Sequence, residues 1–193
     1  MKLSKDYYTG NDVVKIARDL IGKVLFTNLG NEICAGVITE TEAYNGSIDR
    51  ASHAFNNRKT ERTRVMFLEG GVAYVYLCYG IHSLFNVVTG SADVPHAVLI
   101  RAIKPVKGIP VMMKRRNVEV YRITDFSGPG KVAQALGIAT KHTGESLEGK
   151  KIWIEDQGII IRKKDLVVSP RIGVDYAGED ALLPYRFLYK GDI

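Results

Sequence analysis

Alternating apolar and polar residues predict a chain built mainly of short strands. Two strands, 23–28 and 32–44, flank a segment whose composition is typical of a hairpin turn. Further strands are predicted over 95–103, 151–155, 159–162, 166–168 and 186–189. Because strands and helices do not alternate regularly, the pattern favours an α+β domain with a mostly antiparallel sheet and a few helices around it.

Apolar residues at helical spacing predict helices beside this sheet. The first covers 9–21, with Thr9 and Asp12 placed as a capping box and Gly22 as the stop. A second, short helix runs over 110–116 and carries basic residues, whose plainest role is a solvated face. We expect the first helix to be scaffold.

The stretch from Gly71 to Val88 predicts the hairpin at the centre of the chain. Tyr74 and Tyr76 fall on one face of its first arm, and Tyr79 lies at the tip beside Gly80, which can supply a positive φ. In a basic protein, a tip tyrosine suggests a probe inserted into a partner. The alternative is a core hairpin whose tip tyrosine packs on its own loop.

Composition and charge favour a polyanionic partner. The 193 residues contain 27 Lys and Arg against 21 Asp and Glu, a net charge of +6, and the pI is near 9.2. The length suits one domain over residues 1–193. Cys34 and Cys78 lack the spacing of a zinc site or a disulfide framework. With no signal peptide or long apolar run, we expect a soluble, unexported protein, in the cytoplasm or nucleoid of a bacterium or the nucleus of a eukaryote.

Basic residues concentrate in two segments and at one helix start. The aperiodic segment 45–64 is long enough to suggest a functional loop, and 101–116 contains six basic residues and no acid. A third helix is predicted with Ser127 as N-cap, Pro129 in its first turn and Gly137 as its stop. Its free N–H groups, with Lys131 nearby, would suit a phosphate.

The residues able to perform chemistry gather at one strand end. Glu40, Glu42 and Tyr44 share a face there, and Arg101 interrupts an apolar strand, where it must be paired or face a cavity. The four histidines lack metal-ligand spacing, and neither a dinucleotide-binding glycine motif nor a Walker loop is present. The set suits an enzyme with a general base and an aromatic slot, and either glutamate qualifies as the base.

Short blocks of sequence then occur in one collinear order. They are T-E-A-Y at 41–44, A-S-H at 51–53, Y-V-Y-L-C-Y-G at 74–80, F-N at 85–86, L-I-R-A at 99–102 and S-G-P-G-K at 127–131. Together they closely resemble the alkyladenine (3-methyladenine, or methylpurine) DNA glycosylase family. The likeness extends to Gly191 through R-I-G-V-D-Y-A-G-E and L-P-Y-R-F. It implies one α+β domain with a curved, mostly antiparallel sheet, surrounding helices and a protruding DNA-intercalating hairpin, similar to a formyltransferase C-terminal domain.

The resemblance also assigns roles at the reacting bond. It makes Glu42 the general base that activates water, and Arg101 and the backbone carbonyl of Ile172 the groups that hold this water. No lysine in the matched blocks lies where a Schiff base would form, so hydrolysis without lyase activity is expected, with no metal and no cofactor.

Recognition of the base and the DNA follows from the same likeness. Tyr44, His53 and Tyr76 would sandwich the flipped base, Asn86 would obstruct the amino group of guanine, and Tyr79 would enter the duplex where the base left. Alkylated purines such as 3-methyladenine are cationic, so an electron-rich tyrosine cage would favour them by cation–π attraction. Residues expected to contact the DNA backbone are Arg58, Thr60 and Lys131.

The expected partner is double-stranded DNA with damaged purines, bound by a monomer without membrane association. Two other classes stay open at this stage. One is a lesion-recognising protein that flips bases without cutting, which would not need Glu42 or Arg101. The other is a formyltransferase-like small-molecule or RNA-modifying enzyme, which would not need Tyr79.

Overall fold

A computed structural model describes residues 1–193, and all of its strands belong to one eight-stranded sheet. The sheet order is β3-β4-β5-β2-β1-β6, with β8 pairing β2 and β7, and every pair is antiparallel. This confirms the predicted α+β class. The strands are β1 (Val24–Asn28), β2 (Ile33–Tyr44), β3 (Ala73–Cys78), β4 (His82–Thr89), β5 (His96–Lys107), β6 (Ile152–Glu155), β7 (Leu166–Ser169) and β8 (Arg186–Tyr189).

Four α-helices accompany the sheet: α1 (Lys5–Tyr8), α2 (Val13–Asp19), α3 (Ile109–Arg116) and α4 (Pro129–Leu136). The single helix predicted over 9–21 was wrong at its start. Thr9 ends α1, whereas Asp12 caps α2 by accepting the Lys15 N–H at 2.9 Å. Asp12 immediately precedes the first apolar residue of the helix, so its side chain can cap the helix without Thr9.

Two further predictions were wrong, one at the start of a helix and one for a whole strand. Gly128, with φ 111°, is the N-cap of α4, and the Ser127 hydroxyl donates instead to the Ile123 carbonyl at 3.4 Å. No strand forms over 159–162; Ile161 packs against the core, in the space that a side chain at Gly22 would need. The apolar alternation in this segment therefore reflects the packing of Ile161 against the core, because the segment has no neighbouring strand with which to pair.

The two faces of the sheet have separate tasks, which follow from the two-residue period of its strands. On β5, Val98 and Ile100 are buried in the main core with Phe85 and residues of α2 and α4. Ala97, Leu99 and Arg101 alternate with them and line a cavity on the opposite face. The helices therefore cover one face, and the candidate site lies on the other.

The central hairpin ends in a tight turn that exposes its aromatic residue. Tyr79 and Gly80 both have positive φ, 51° and 73°, and the Ile81 N–H closes the turn on the Cys78 carbonyl at 3.2 Å. Two left-handed central residues match the twist of the flanking strands. Tyr79 is 92% exposed, which rules out a tip tyrosine packed on its own loop. No helix of this protein has both the length and the apolar character needed to cross a bilayer.

Candidate active site

The long strand β2 holds Glu42 where it has partners on both sides. Glu42 lies opposite Leu99 of β5 and Arg186 of β8. Its side chain has no solvent-exposed area. Its carboxylate accepts three hydrogen bonds, from the Tyr44 hydroxyl at 2.9 Å, Arg101 Nη1 at 3.3 Å and the Ile172 N–H at 2.8 Å. A carboxylate has about four acceptor positions, so one is left for a further donor.

Burial dominates the electrostatics of this carboxylate. Desolvation raises the pKa of Glu42 above its usual range, while Arg101, the Ile172 N–H and Tyr44 act in the opposite direction. Burial also raises the pKa of Tyr44, helped by the charge of Glu42. Tyr44 therefore remains a hydrogen-bond donor at neutral pH.

Glu40 lies on the same face as Glu42, as alternation predicted, but it is bound by two arginines. Its Oε1 accepts from Arg101 Nε at 3.1 Å and from Arg186 Nε at 2.6 Å. Arg101 thus bridges both carboxylates, which satisfies the expectation that a guanidinium in an apolar strand must be paired. Neither glutamate lines the cavity itself. All three partners of Glu42 line it, whereas of the two partners of Glu40 only Arg101 does.

The cavity beside the partners of Glu42 has a volume of about 430 Å³, and its walls include five tyrosines and one histidine. His53 contacts Tyr76 edge-on, with ring centres 4.6 Å apart, and Tyr74 lies 5.4 Å from Tyr76. The space is large enough for a flat heterocycle. Its lining includes these predicted site residues: Tyr44, His53, Tyr76, Tyr79, Asn86, Arg101 and Ile172.

Hydrogen bonds fix the orientation of His53. Arg62 Nη2 lies 3.3 Å from His53 Nε2, and His53 Nδ1 lies 2.9 Å from the Tyr74 hydroxyl. A guanidinium only donates, so Nε2 is the acceptor and Nδ1 carries the hydrogen. Burial, together with the charges of Arg62 and Arg58, lowers the pKa of His53 to about 4. His53 is therefore neutral at physiological pH.

Asn86 of β4 is held rigidly beside Tyr74, its cross-strand partner on β3. It is 3% exposed, and its amide nitrogen donates to the Tyr74 carbonyl at 3.1 Å and the Leu84 carbonyl at 3.4 Å. Tyr74 is buried at 2% exposure, and it also lines the cavity.

A buried ion pair that sequence reasoning missed lies next to two residues of the cavity lining, Tyr44 and Ile172. Arg171 binds both oxygens of Asp49, with Nη2 2.9 Å from Oδ1, and their side chains are 0% and 1% exposed. The guanidinium also lies 4.9 Å from the centre of the Tyr44 ring. Arg171 precedes Ile172 in the R-I-G-V block, so the pair fixes both an aromatic wall and a donor to Glu42. Its only sequence signal was that block.

The three residues expected at the DNA backbone lie apart from the cavity lining. Arg58 and Thr60 are exposed, and Thr60 shares hydrogen bonds with Thr63. Lys131, in the first turn of α4, donates to the Thr124 carbonyl at 2.9 Å. The start of α4 lies against the hairpin, since a side chain at Gly130 would be 3.1 Å from His82 Cβ. No three His, Cys, Asp or Glu side chains are grouped so that they could hold a metal ion.

A buried carboxylate with one acceptor position open, next to an aromatic cavity and an exposed tip tyrosine, is an arrangement that suits hydrolysis of a bond to a flat base. The model of the methylpurine-DNA glycosylase family matches residues 7–193, and the chain belongs to that family. It is therefore a DNA glycosylase, a hydrolase of N-glycosyl bonds.

Similar proteins carry a matching name. A candidate 3-methyladenine DNA glycosylase of Chlamydia felis is 46% identical over 189 residues, which cover 96% of this chain and 95% of that protein. One from Bacillus cereus is 40% identical, with coverage of 99% and 97%, and one from Clostridium perfringens strain 13 is 38% identical, with coverage of 98% and 96%.

Proposed function

We propose that this chain is a monofunctional, monomeric DNA N-glycosylase that acts on alkylated and deaminated purines in duplex DNA. The bases are 3-methyladenine, 7-methylguanine, hypoxanthine and ethenoadenine. The observation that carries the proposal is the fully buried Glu42 carboxylate, bound by three groups of residues that line the aromatic cavity. By leaving an abasic site in cellular DNA, the enzyme would begin base excision repair.

In this mechanism Glu42 is the general base. The acceptor position left free on its carboxylate takes the attacking water, which Arg101 and the Ile172 carbonyl also hold. As the N-glycosidic bond breaks, the bonding electrons leave with the base and the sugar becomes an oxocarbenium ion. The nearby carboxylate stabilises that charge and accepts the proton of the water. Glu40 is a poorer candidate because only one of its partners, Arg101, lines the cavity, whereas all three partners of Glu42 do.

The hairpin makes the base accessible. A glycosylase cannot reach the sugar–base bond inside a duplex, so the nucleotide must rotate out, at a cost of about a few kcal/mol. Tyr79 would enter the vacated position from the minor groove, while Arg58, Thr60 and Lys131 bind phosphates. The 92% exposure of Tyr79 and its place on the cavity rim support this role.

The cavity would receive the base between Tyr44 on one side and His53 and Tyr76 on the other. Asn86, held by two backbone carbonyls, would oppose the amino group of guanine. The cavity lining contains no lysine that could form a Schiff base, in keeping with hydrolysis that leaves the abasic strand intact.

Excision from a panel of lesion-bearing duplexes, followed by alkaline cleavage of abasic sites, tests the proposal. Glu42→Gln is expected to lose excision and keep lesion binding, with a rate loss of about 10²-fold or more. Glu69→Gln is the matched control, because Glu69 forms only an exposed ion pair with Lys5. Failure to release any modified purine would refute the enzyme and leave a lesion-binding protein. Full activity of Glu42→Gln would move the general base to Glu40.

A further inference from the structure

Arg62 brings an unbalanced positive charge to the aromatic wall. Its guanidinium carbon lies 4.8 Å from the centre of the Tyr76 ring, and the residue lines the cavity. No carboxylate forms an ion pair with it. The side chain that it contacts most directly, His53, accepts its hydrogen bond and carries no compensating charge.

The guanidinium against the other wall differs in this respect. Arg171 lies 4.9 Å from the centre of the Tyr44 ring, but Asp49 binds it through both carboxylate oxygens. Its positive charge is therefore largely cancelled inside the protein. Of the two cations against the cage, Arg62 is the one whose field a bound base would experience.

We infer that Arg62 is a specificity-determining residue that repels the positive charge of an alkylated base and thereby favours its departure. This inference rests on the proposed function. A tyrosine ring attracts a cationic base, yet a guanidinium already stacked on that ring opposes the attraction. If the cage bound the cationic base tightly before bond cleavage, the free energy of the enzyme–substrate complex would fall. The barrier to the transition state would then rise, and the reaction would slow.

Arg62 affects the reaction rate because the charge on the base changes during bond cleavage. When the bond between sugar carbon and purine nitrogen breaks, its electron pair stays on the nitrogen, and a cationic methylpurine leaves as a neutral base. The positive charge passes to the sugar, beside Glu42, and water then attacks that carbon while its proton goes to Glu42. Repulsion from Arg62 acts fully before cleavage and is relieved in the transition state, so it accelerates this step. A neutral base must take up a proton from solvent before it leaves as a neutral molecule. Because that proton creates a positive charge beside Arg62, the later relief is offset and Arg62 gives no net acceleration.

The size of the effect follows from distance and exposure. A base stacked on Tyr76 would place its charge on the ring that the guanidinium carbon approaches to 4.8 Å. Solvent reduces the repulsion, because Arg62 is an exposed residue. We expect Arg62→Gln to lower the maximal single-turnover rate about fivefold for cationic bases. It should also lower the enzyme concentration needed for half-maximal rate, apart from any phosphate contact that is lost.

The experiment measures single-turnover release of 3-methyladenine and 7-methylguanine from methylated duplex at several concentrations of full-length protein. The neutral comparator is hypoxanthine or ethenoadenine, whichever the wild type releases faster. Arg62→Lys keeps the positive charge and should restore the rate. Arg64→Gln is the matched control, because Arg64 lies in the same segment, pairs with Glu61 at 3.3 Å and does not line the cavity.

The outcomes separate this inference from the proposed function. Absence of methylpurine release by the wild type refutes the function itself. Given release, the inference is overturned if Arg62→Gln keeps the wild-type maximal rate, if it slows neutral and cationic bases alike, or if Arg62→Lys is as slow as Arg62→Gln. If Arg62 only contacted a phosphate, Arg62→Gln would change the affinity for every duplex, and its maximal rates would equal those of the wild type. If no neutral base is released, the comparison of Arg62→Gln, Arg62→Lys and Arg64→Gln decides.

Discussion

The buried pair of Asp49 and Arg171 is a sensitive place to test the structure, and Asp49→Asn is the perturbation. Asp49 Oδ1 accepts from the Ala51 N–H at 3.0 Å and from Arg171 Nη2 at 2.9 Å. Its Oδ2 accepts from the Asn45 N–H at 2.9 Å and from Arg171 Nη1. All four acceptor positions are used. An asparagine supplies one oxygen only, and its amino group would face two donors.

The energy follows from burial, since the two side chains are 1% and 0% exposed. Removing one partner of such a pair leaves an uncompensated buried charge and costs about 3–5 kcal/mol. That is a large part of a total stability of about 5–15 kcal/mol. For a chain of this size it corresponds to a fall in Tm of roughly 6–20 °C.

Urea denaturation of Asp49→Asn, followed by fluorescence and circular dichroism, measures the change in unfolding free energy. Asp93→Asn is the control, because Asp93 forms an exposed pair with Lys59 at 3.4 Å, and its loss should cost below about 0.5 kcal/mol. A loss below about 1 kcal/mol for Asp49→Asn would show that the pair is not desolvated. Excision well below Tm should also fall, because Arg171 adjoins the Ile172 N–H that holds Glu42.

Three further outcomes are expected. Because burial raises the pKa of Glu42 and the base must be ionised, excision of methylated purines should decline with falling pH from a point above the usual glutamic acid range, and a pH–rate profile with an ordinary glutamate limb would contradict this. Tyr79→Asn should relieve a left-handed aromatic residue and raise the unfolding free energy by up to about 1 kcal/mol, while lesion capture in a gel-shift assay weakens; unchanged capture would remove Tyr79 from DNA binding. Phe85→Ala, at a fully buried core position, should lower the unfolding free energy by about 3–5 kcal/mol in the same urea experiment, and a loss near zero would show that the core had collapsed around the gap.

The sequence predicted the fold and the site best where the two-residue period of a strand coincided with charged residues. Alternation correctly placed Glu40 and Glu42 on one face of β2, and the charge that interrupts an apolar strand correctly predicted that Arg101 is paired. Ends of elements were less predictable, because local capping groups compete over a few residues. Asp12 displaced Thr9, and Gly128 displaced Ser127, at the starts of two helices.

Partners brought together by tertiary folding could not be predicted. Asp49 and Arg171 are 122 positions apart in sequence, and no local pattern distinguishes either of them from a solvated charge. The same holds for Arg62, which the sequence showed only as one of several basic residues in the aperiodic segment 45–64. Its contact with Tyr76 depends on how that segment folds over the hairpin.

The site combines a rigidly held carboxylate, Glu42, with a strained and exposed tyrosine, Tyr79. Rigidity suits the proposed hydrolysis, and exposure suits the proposed contact with DNA. Glu42 lies where β2 has pairing partners on both sides, and its donors come from three separate segments, so the carboxylate needs no rearrangement when a base arrives. Tyr79, in contrast, is a left-handed residue with almost all of its side chain in solvent. Strain of about 1 kcal/mol is tolerable at a tip supported by two paired strands, and it holds the ring out for a partner. The rigid surroundings of Glu42 and the strain at Tyr79 are therefore both consistent with the proposed function, in which the enzyme would open a duplex before it acts.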